Sequence, residues 1–303
     1  MVEVSFLISA YNAESTIRQC IESVLLQSFT NFEVILIDDG SNDSTKLIVS
    51  SFLDPRIKYF YQHNSGISKA LNFGLSKALG KYIAKLDSDD ICLPDRILLQ
   101  YNFLEQNPDY IVCGSNAEIY SIDNHFLYNQ IQPQFDEEIR TKIKHQNPFI
   151  HSSTFYRREF ALKVKYDEVI FHFFEDYLFF SNLINFGKSY NIQESLIRYY
   201  VSPFSVSSNK LNSKQLSIRK NILKRGYALK EEYLVFKDLK KINKALNLSN
   251  YYLLHFRTFI KKNTHFQLAI KYLFLAIRLR PLNFNIILSI LFAISQKLKN
   301  IIK

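Results

Sequence analysis

The amino-acid sequence predicts an α/β protein: a Rossmann-like, mostly parallel sheet flanked by helices, followed by a helical, basic C-terminal extension. Three observations carry this reading. From residue 4 to residue 86 short apolar runs alternate with segments of helical period, the pattern of right-handed βαβ units. Two of those runs end in clustered aspartates, Asp38-Asp39 and Asp87, Asp89 and Asp90, at the edge where open α/β sheets bind their ligands. The charge is also segregated. Residues 210–303 carry 20 Lys and Arg against 3 Asp and Glu, a net of +17, while residues 1–209 carry a net of −7, together the +10 of the whole chain.

The strand candidates of the first half are Val4–Ser9, Phe32–Ile37, Ile57–Tyr61 and Tyr82–Leu86. Between the first two, Ile17, Cys20, Ile21, Val24 and Leu25 fall on one helical face. After the turn Asp39-Gly40-Ser41-Asn42-Asp43 come Leu47, Ile48, Ser51 and Phe52. Ile67, Ala70, Leu71, Gly74, Leu75 and Ala78 make a third stripe, which Gly80 stops. A helix is expected from Pro94 to Gln106, bracketed by proline in its first turn and by Asn107-Pro108. Further strands are expected at Tyr110–Gly114, Ala117–Tyr120, Ser152–Tyr156 and Tyr190–Tyr200, and helices at Asp136–Lys144 and Glu175–Gly187. The Ser/Asn-rich stretch Ser202–Ser213 marks a boundary, and Thr264–Pro281 reads as one amphipathic helix. The expected organisation is a domain over 1–205, with halves at 1–115 and 116–205, and an extension over 206–303.

Composition bounds the function. With 47% hydrophobic and 15% aromatic residues the chain holds a folded core and is not globally disordered. Three scattered cysteines argue for a reducing compartment, and seven histidines without paired spacing argue against a zinc centre. The N-terminus lacks the basic leader of a signal peptide and reads as a first buried strand. No run reaches the ~18 apolar residues of a membrane span; the nearest is Ile286–Ile294. The basic tail predicts a polyanionic partner, an anionic membrane surface or nucleic acid.

Asp87 and Asp89 alternate after a strand and so can face one site. Mg²⁺ and Mn²⁺ take hard oxygen ligands, often one or two carboxylates plus phosphates. A solvated turn capping the next helix is the competing reading. The position after a buried run, with Asp38-Asp39 after another, favours a cation. Ser41 and Asp43 suit a helix start without any further role, whereas a carboxylate at a strand end can accept from a base N–H or a ribose hydroxyl. Glu175-Asp176 suits a first helical turn through the helix dipole. It is also flanked by Phe171, Phe173, Phe174, Tyr177, Phe179 and Phe180, and an apolar setting makes a carboxylate a better proton acceptor.

Four blocks occur in order: Val4-Ser5-Phe6-Leu7-Ile8-Ser9-Ala10-Tyr11-Asn12-Ala13-Glu14, Ile37-Asp38-Asp39-Gly40-Ser41-Asn42-Asp43-Ser44-Thr45, His63-Asn64-Ser65-Gly66-Ile67 and Leu86-Asp87-Ser88-Asp89-Asp90. Together, over residues 2–200, they resemble family 2 glycosyltransferases of the GT-A fold, of the bacterial surface-polysaccharide type. The resemblance implies a metal-dependent, inverting transfer of one sugar from a nucleotide-diphosphate donor, UDP-linked by family tendency, to a glycan or lipid-linked glycan. Ser9, Tyr11 and Asp39 would hold the nucleobase, with Glu14 and Asp38 ordering the pocket. Asp87 and Ser88 would lie near the ribose and metal, and Asp89 would be the main ligand of a Mn²⁺ or Mg²⁺ ion. Lys69 would offset phosphate charge, or simply be a solvated helix lysine. Asp176 would be the base, with Glu175 beside it, and His151 would line the acceptor side or serve as a structural histidine. The Gln-x-x-Arg-Trp signature of processive synthases is missing, which points to single-sugar transfer. The implied location is cytoplasmic, on the inner face of the cytoplasmic membrane, held there by Lys261, Lys262, Lys271, Arg278 and Arg280 among Phe256, Phe259, Phe266, Leu268, Tyr272, Leu273 and Leu275. The tail helix packing on the catalytic domain is the alternative. A sugar nucleotidyltransferase would show a Gly-rich basic N-terminal loop, absent here. A non-catalytic membrane-surface or nucleic-acid binder would not need acidic clusters at strand ends, so no nucleic acid is expected.

Overall fold

A computed structural model describes residues 2–170, 174–201, 213–232, 244–262, 266–279, 286, 288–290 and 292–293. Phe171, Phe173, the stretch Ser202–Asn212, Arg280, Pro281 and, within Ile286–Ile294, Ile287, Leu291 and Ile294 lie outside the described residues, as do the side chains of Phe259, Lys261, Lys262, Phe266 and Leu268.

The first half folds as the alternation requires: β1 (Val4–Ala10), α1 (Ile17–Leu25), β2 (Phe32–Asp38), α2 (Thr45–Ser50), β3 (Ile57–Tyr61), α3 (Ile67–Lys77) and β4 (Tyr82–Asp87). The strands lie side by side in the order β3-β2-β1-β4, all parallel. Short β5 (Ile91–Cys92) and α4 (Arg96–Gln106) follow, then β6 (Tyr110–Ser121), β7 (Phe126–Gln130), α5 (Asp136–Lys142), β8 (Phe155–Arg157), α6 (Arg158–Val164), α7 (Glu175–Leu183) and β9 (Lys188–Val201). Beyond β4 the sheet continues as β8-β6-β9-β5, with β8 antiparallel to both β4 and β6 and β5 antiparallel to β9.

Strand parity divides the core into two layers. Val4, Phe6 and Ile8 pack with Ile17, Cys20, Ile21 and Val24 of α1 and with Ile97 and Leu104 of α4. Leu7, Ile35 and Ile37 point the other way, onto Ala70, Leu71 and Leu75 of α3 and Phe179, Phe180 and Leu183 of α7. Gly74 lets α3 approach closely, since a Cβ there would come within 2.3 Å of Leu7 Cδ1.

Three elements differ from the sequence expectation. The two strands expected at Tyr110–Gly114 and Ala117–Tyr120 are one strand, β6. The strand expected from Ser152 opens instead as a 3-10 turn, His151–Ser153, before β8. The helix expected to reach Gly187 leaves the α-helical path after Leu183 for a 3-10 turn, Ile184–Phe186.

The chain separates into two compact units. The first holds residues 1–118, 129–200 and 213–234, and so includes α8 (Ser213–Arg225). The second holds residues 119–128 and the helices α9 (Lys244–Lys262) and α10 (Phe266–Leu279). There Ala269 and Tyr272 of α10 pack against Phe256 of α9, and Ala276 against Leu253. The Tyr272 hydroxyl donates to Asp123 at 3.2 Å. Lys271, Phe274 and Arg278 are exposed along the opposite face. Among the described residues no helix is long and apolar enough to cross a membrane.

Candidate active site

The strand order creates a switch point. From β1 the chain passes to β2 and β3 on one side, and α3 returns it to β4 on the other, so a crevice opens at the carboxyl ends of β1 and β4. The register sets the aspartates at one level: Ala10 pairs with Asp38, and Ser9 pairs with both Ile37 and Asp87.

The loops after β1 and β2 clasp each other. Asn12 N donates to Ser41 Oγ at 2.9 Å and Glu14 N to Asp43 Oδ2 at 3.0 Å. In return Asn42 N donates to Asn12 Oδ1 and Ser44 N to Glu14 Oε2, each at 2.9 Å. Asn12 sits at φ 50°, a conformation asparagine tolerates better than most residues. Glu14 is thus a loop fastener, and Tyr11, 52% exposed, presents an open ring beside it. Asp38 accepts from Ser41 N at 2.8 Å and from the Tyr59 hydroxyl at 2.7 Å. Asp39, buried, accepts from Gln62 Nε2 at 2.6 Å and from the backbone N–H groups of Ser65 and Gly66 at 2.9 Å. About four lone-pair sites on a carboxylate leave one for a visiting N–H. Gly40, at φ 84°, lets this loop pass the Asn64 backbone, which a Cβ would meet at 2.6 Å. Lys69 is exposed in the first turn of α3.

At the end of β4 the electrostatics are dense. Lys85 is fully buried, and its Nζ donates to Leu86 O at 2.9 Å and pairs with Asp87 Oδ1. Burial alone would raise the Asp87 carboxyl. The Lys85 and His151 neighbours and the hydrogen bonds from Lys85 and Ser152 outweigh it and hold Asp87 far below the usual carboxylate range. Asp90 is buried against Ser152 Oγ, and its other oxygen accepts from Tyr200 N at 3.0 Å. Burial first, then the charges of Asp89 and Asp87, push its pKa well up. The Ser152 hydroxyl is shared between Asp90 Oδ2 and Asp87 Oδ2, the latter at 2.9 Å, while Asp87 N donates to Ser152 Oγ at 3.1 Å. Asp89 reaches solvent. Crowding by protein atoms and then the Asp87 charge raise its carboxyl to about 6. Ser88, beside it, is half-buried.

His151 joins this cluster to α7. Its Nδ1 is 3.8 Å from Asp87 Oδ1, and its Nε2 lies 3.1 Å from the Tyr166 hydroxyl. Burial holds the imidazole below its ordinary value against the opposing charges of Asp87 and Asp176. Asp176 therefore lies near enough to act on the same ring as Asp87. The Asp176 surroundings differ from the apolar setting expected: Oδ2 accepts from Asn147 Nδ2 at 2.8 Å and Oδ1 from Tyr177 N at 2.7 Å. Glu175, half-buried, opens the same helix.

The cluster contains residues that sequence reasoning did not single out: Lys85, Asn147, Ser152 and the hydrogen-bonded role of Asp90. Lys85 was visible in principle, since it shares a strand face with Asp87. Behind the cluster, fully buried Arg96 donates to Lys85 O at 2.8 Å and Thr154 O at 3.0 Å, joining β4 to the His151 segment.

Among the described residues no three His, Cys, Asp or Glu side chains group as a metal centre. The donor set fits a hard cation that arrives with a diphosphate: one solvent-reaching carboxylate, Asp89, beside one already engaged by Lys85 and Ser152.

A family model described as Glycosyl transferase family 2 matches residues 5–165. An uncharacterized glycosyltransferase of Haemophilus influenzae is 34% identical over 220 residues, covering 68% of this chain and 67% of that protein. One of Rickettsia felis is 45% identical over 106 residues, which cover 35% of this chain and 18% of that protein's length. The amylovoran biosynthesis glycosyltransferase AmsE of Erwinia amylovora is 29% identical over 190 residues, 60% of this chain and 70% of that one. Among solved structures, S. aureus TarS 1–349 in complex with UDP-GlcNAc superposes with a TM-score of 0.59 at 17% identity, covering 97% of this chain and 89% of that one. At that identity the likeness is one of fold.

Proposed function

Because the chain belongs to glycosyl transferase family 2, we propose that it moves one sugar from a nucleotide diphosphate, a UDP-sugar, to a hydroxyl of a glycan or lipid-linked glycan, with inversion at the anomeric carbon. The observation that carries this is Asp87 at 3.8 Å from His151 beyond the end of β4, with the charge of Asp176 bearing on the same ring. The names of TarS, bound to UDP-GlcNAc, and of AmsE, an amylovoran glycosyltransferase, support the donor and acceptor classes.

In this reading Tyr11 packs on the base and the remaining lone pair of Asp39 accepts its N–H. Asp89, with Asp87 beside it, would hold a Mn²⁺ or Mg²⁺ ion that offsets charge on the diphosphate. Asn147 and Tyr177 N orient the Asp176 carboxylate. Asp176 takes the acceptor hydroxyl proton while that oxygen bonds to the anomeric carbon and the bond to the nucleotide diphosphate breaks. Water in the acceptor's place gives slow UDP release by the same route. Asp176→Asn is expected to bind UDP-GlcNAc as the unmodified protein does and to release UDP about a thousandfold more slowly. Equal release rates would remove Asp176 from the chemistry.

The exposed Lys271, Phe274 and Arg278 on α10 support peripheral contact with an anionic membrane surface.

A further inference from the structure

A second basic feature lies within the first unit, away from the switch point. The helices α5, α7 and α8 enclose a cavity of about 840 Å³. Its walls carry Arg140, Lys144, Lys220, Lys224 and Arg225, and no carboxylate among the described residues lines it. Two of the five are structural. Arg140 is bound to Asp136 and to the carbonyls of Ile184 and Gly187, and Arg225 to Glu232. Lys144, Lys220 and Lys224 are exposed and have no carboxylate partner among the described residues. Ser181 and Asn182 of α7 add neutral polar groups. The arrangement is anchored, since Asn182 Nδ2 donates to Gly226 O at 2.7 Å and the Arg219 guanidinium lies 5.6 Å from the Tyr177 ring.

We propose that this cavity is an acceptor subsite that holds the anionic groups, phosphate or uronate, of a glycan chain whose end is extended at Asp176. The inference rests on the transferase reading for its second half only. Concavity and charge select the ligand class. Among the described residues no Phe, Tyr or Trp lines the cavity to stack bases as a single-stranded nucleic acid would require. Its apolar walls among the described residues are Ile143, Ile184 and Leu223, inside a recess, unlike the outward apolar face that inserts into a bilayer. Position selects the role. Ser181 and Asn182 follow Asp176 by five and six residues on one helix, about 9 Å along its axis. A chain held in the cavity can therefore reach the carboxylate that starts the same helix, and Arg219 on α8 borders the path beside Tyr177.

The test is a titration of the full-length protein with a heparin-derived tetrasaccharide as the anionic glycan probe, followed by calorimetry. Lys220→Glu/Lys224→Glu reverses two exposed charges and is compared with Lys163→Glu, an exposed lysine on α6. UDP-GlcNAc binding is measured on the same samples. The expected result is that the double variant weakens the tetrasaccharide about tenfold or more, with Lys163→Glu and donor binding unchanged. Equal binding by the double variant and Lys163→Glu would overturn the site. So would a single-stranded oligonucleotide displacing the tetrasaccharide at lower concentration, or the two lysines governing binding to phosphatidylglycerol vesicles but not to the saccharide. Loss of UDP-GlcNAc binding in every sample, with the lysine-dependent saccharide binding intact, would refute the transferase reading and leave the anion site standing.

Discussion

At the scale of single residues, Lys85 explains how the edge of β4 tolerates three aspartates. An ammonium with no exposed surface is costly unless paired and hydrogen-bonded. Here it is satisfied by Leu86 O and Asp87, so the pair forms a neutral base on which the rest of the cluster sits. Removing one partner of such a pair strands the other. Lys85→Met is expected to lower unfolding free energy by about 3 kcal/mol, read from urea denaturation followed by circular dichroism. A change within experimental error would mean that Asp87 does not depend on this ammonium. The aspartates themselves were legible from sequence because they end apolar runs. Their partners were not, since Ser152 and Asp87 stand 65 residues apart and only the β4–β8 pairing brings them together.

At the scale of elements, Glu33 fastens four pieces of the parallel half. It accepts from Ser5 on β1 and Lys58 on β3, each at 2.6 Å, and from Leu79 N just past α3 at 2.7 Å. Burial would raise its carboxyl, but the hydrogen bonds from Lys58, Ser5 and Leu79 win and lower it below the ordinary 4.5. A carboxyl lowered on folding adds stability that is present above its unfolded value and is lost as pH falls through the folded one. Glu33→Gln is therefore expected to cost about 1–2 kcal/mol at pH 7, with the gap to the unmodified protein closing toward pH 3 in urea titrations. A gap that stays constant with pH would assign the cost to packing. The βαβ half was readable because apolar alternation and helical stripes agree there. The later strands were less so. Polar Ser115 and Asn116 split β6 in the sequence, yet both are buried and bonded, Ser115 N to Ser153 Oγ at 3.1 Å and Asn116 Oδ1 from Gln132 N at 2.8 Å. The strand expected at Ser152 yields to a 3-10 turn because Ser153 N is claimed by Ile150 O at 2.8 Å.

At the scale of the whole molecule, the segregated charge takes two structural forms. In the first unit α8 contributes cations to a concave site beside α7. In the second, Tyr272 and Ala276, among the residues on the core side of α10, are taken up by α9, and among its described side chains Lys271, Phe274 and Arg278 face outward. An exposed Phe between two cations suits an interface of headgroups and acyl chains. Phe274→Glu is expected to reduce flotation with phosphatidylglycerol vesicles about tenfold, and flotation with phosphatidylcholine is expected to be weak in both proteins. Undiminished flotation would remove α10 from any membrane contact.

In the proposed reaction the carboxyl edge of β1, β2 and β4 holds a nucleotide diphosphate with a cation at Asp89. The direct measurement is a calorimetric titration of UDP-GlcNAc into the protein in Mn²⁺ and in EDTA, repeated with Asp89→Asn. Asp89→Asn in Mn²⁺ is expected to bind no better than the unmodified protein in EDTA. Full Mn²⁺-dependent affinity in Asp89→Asn would contradict it.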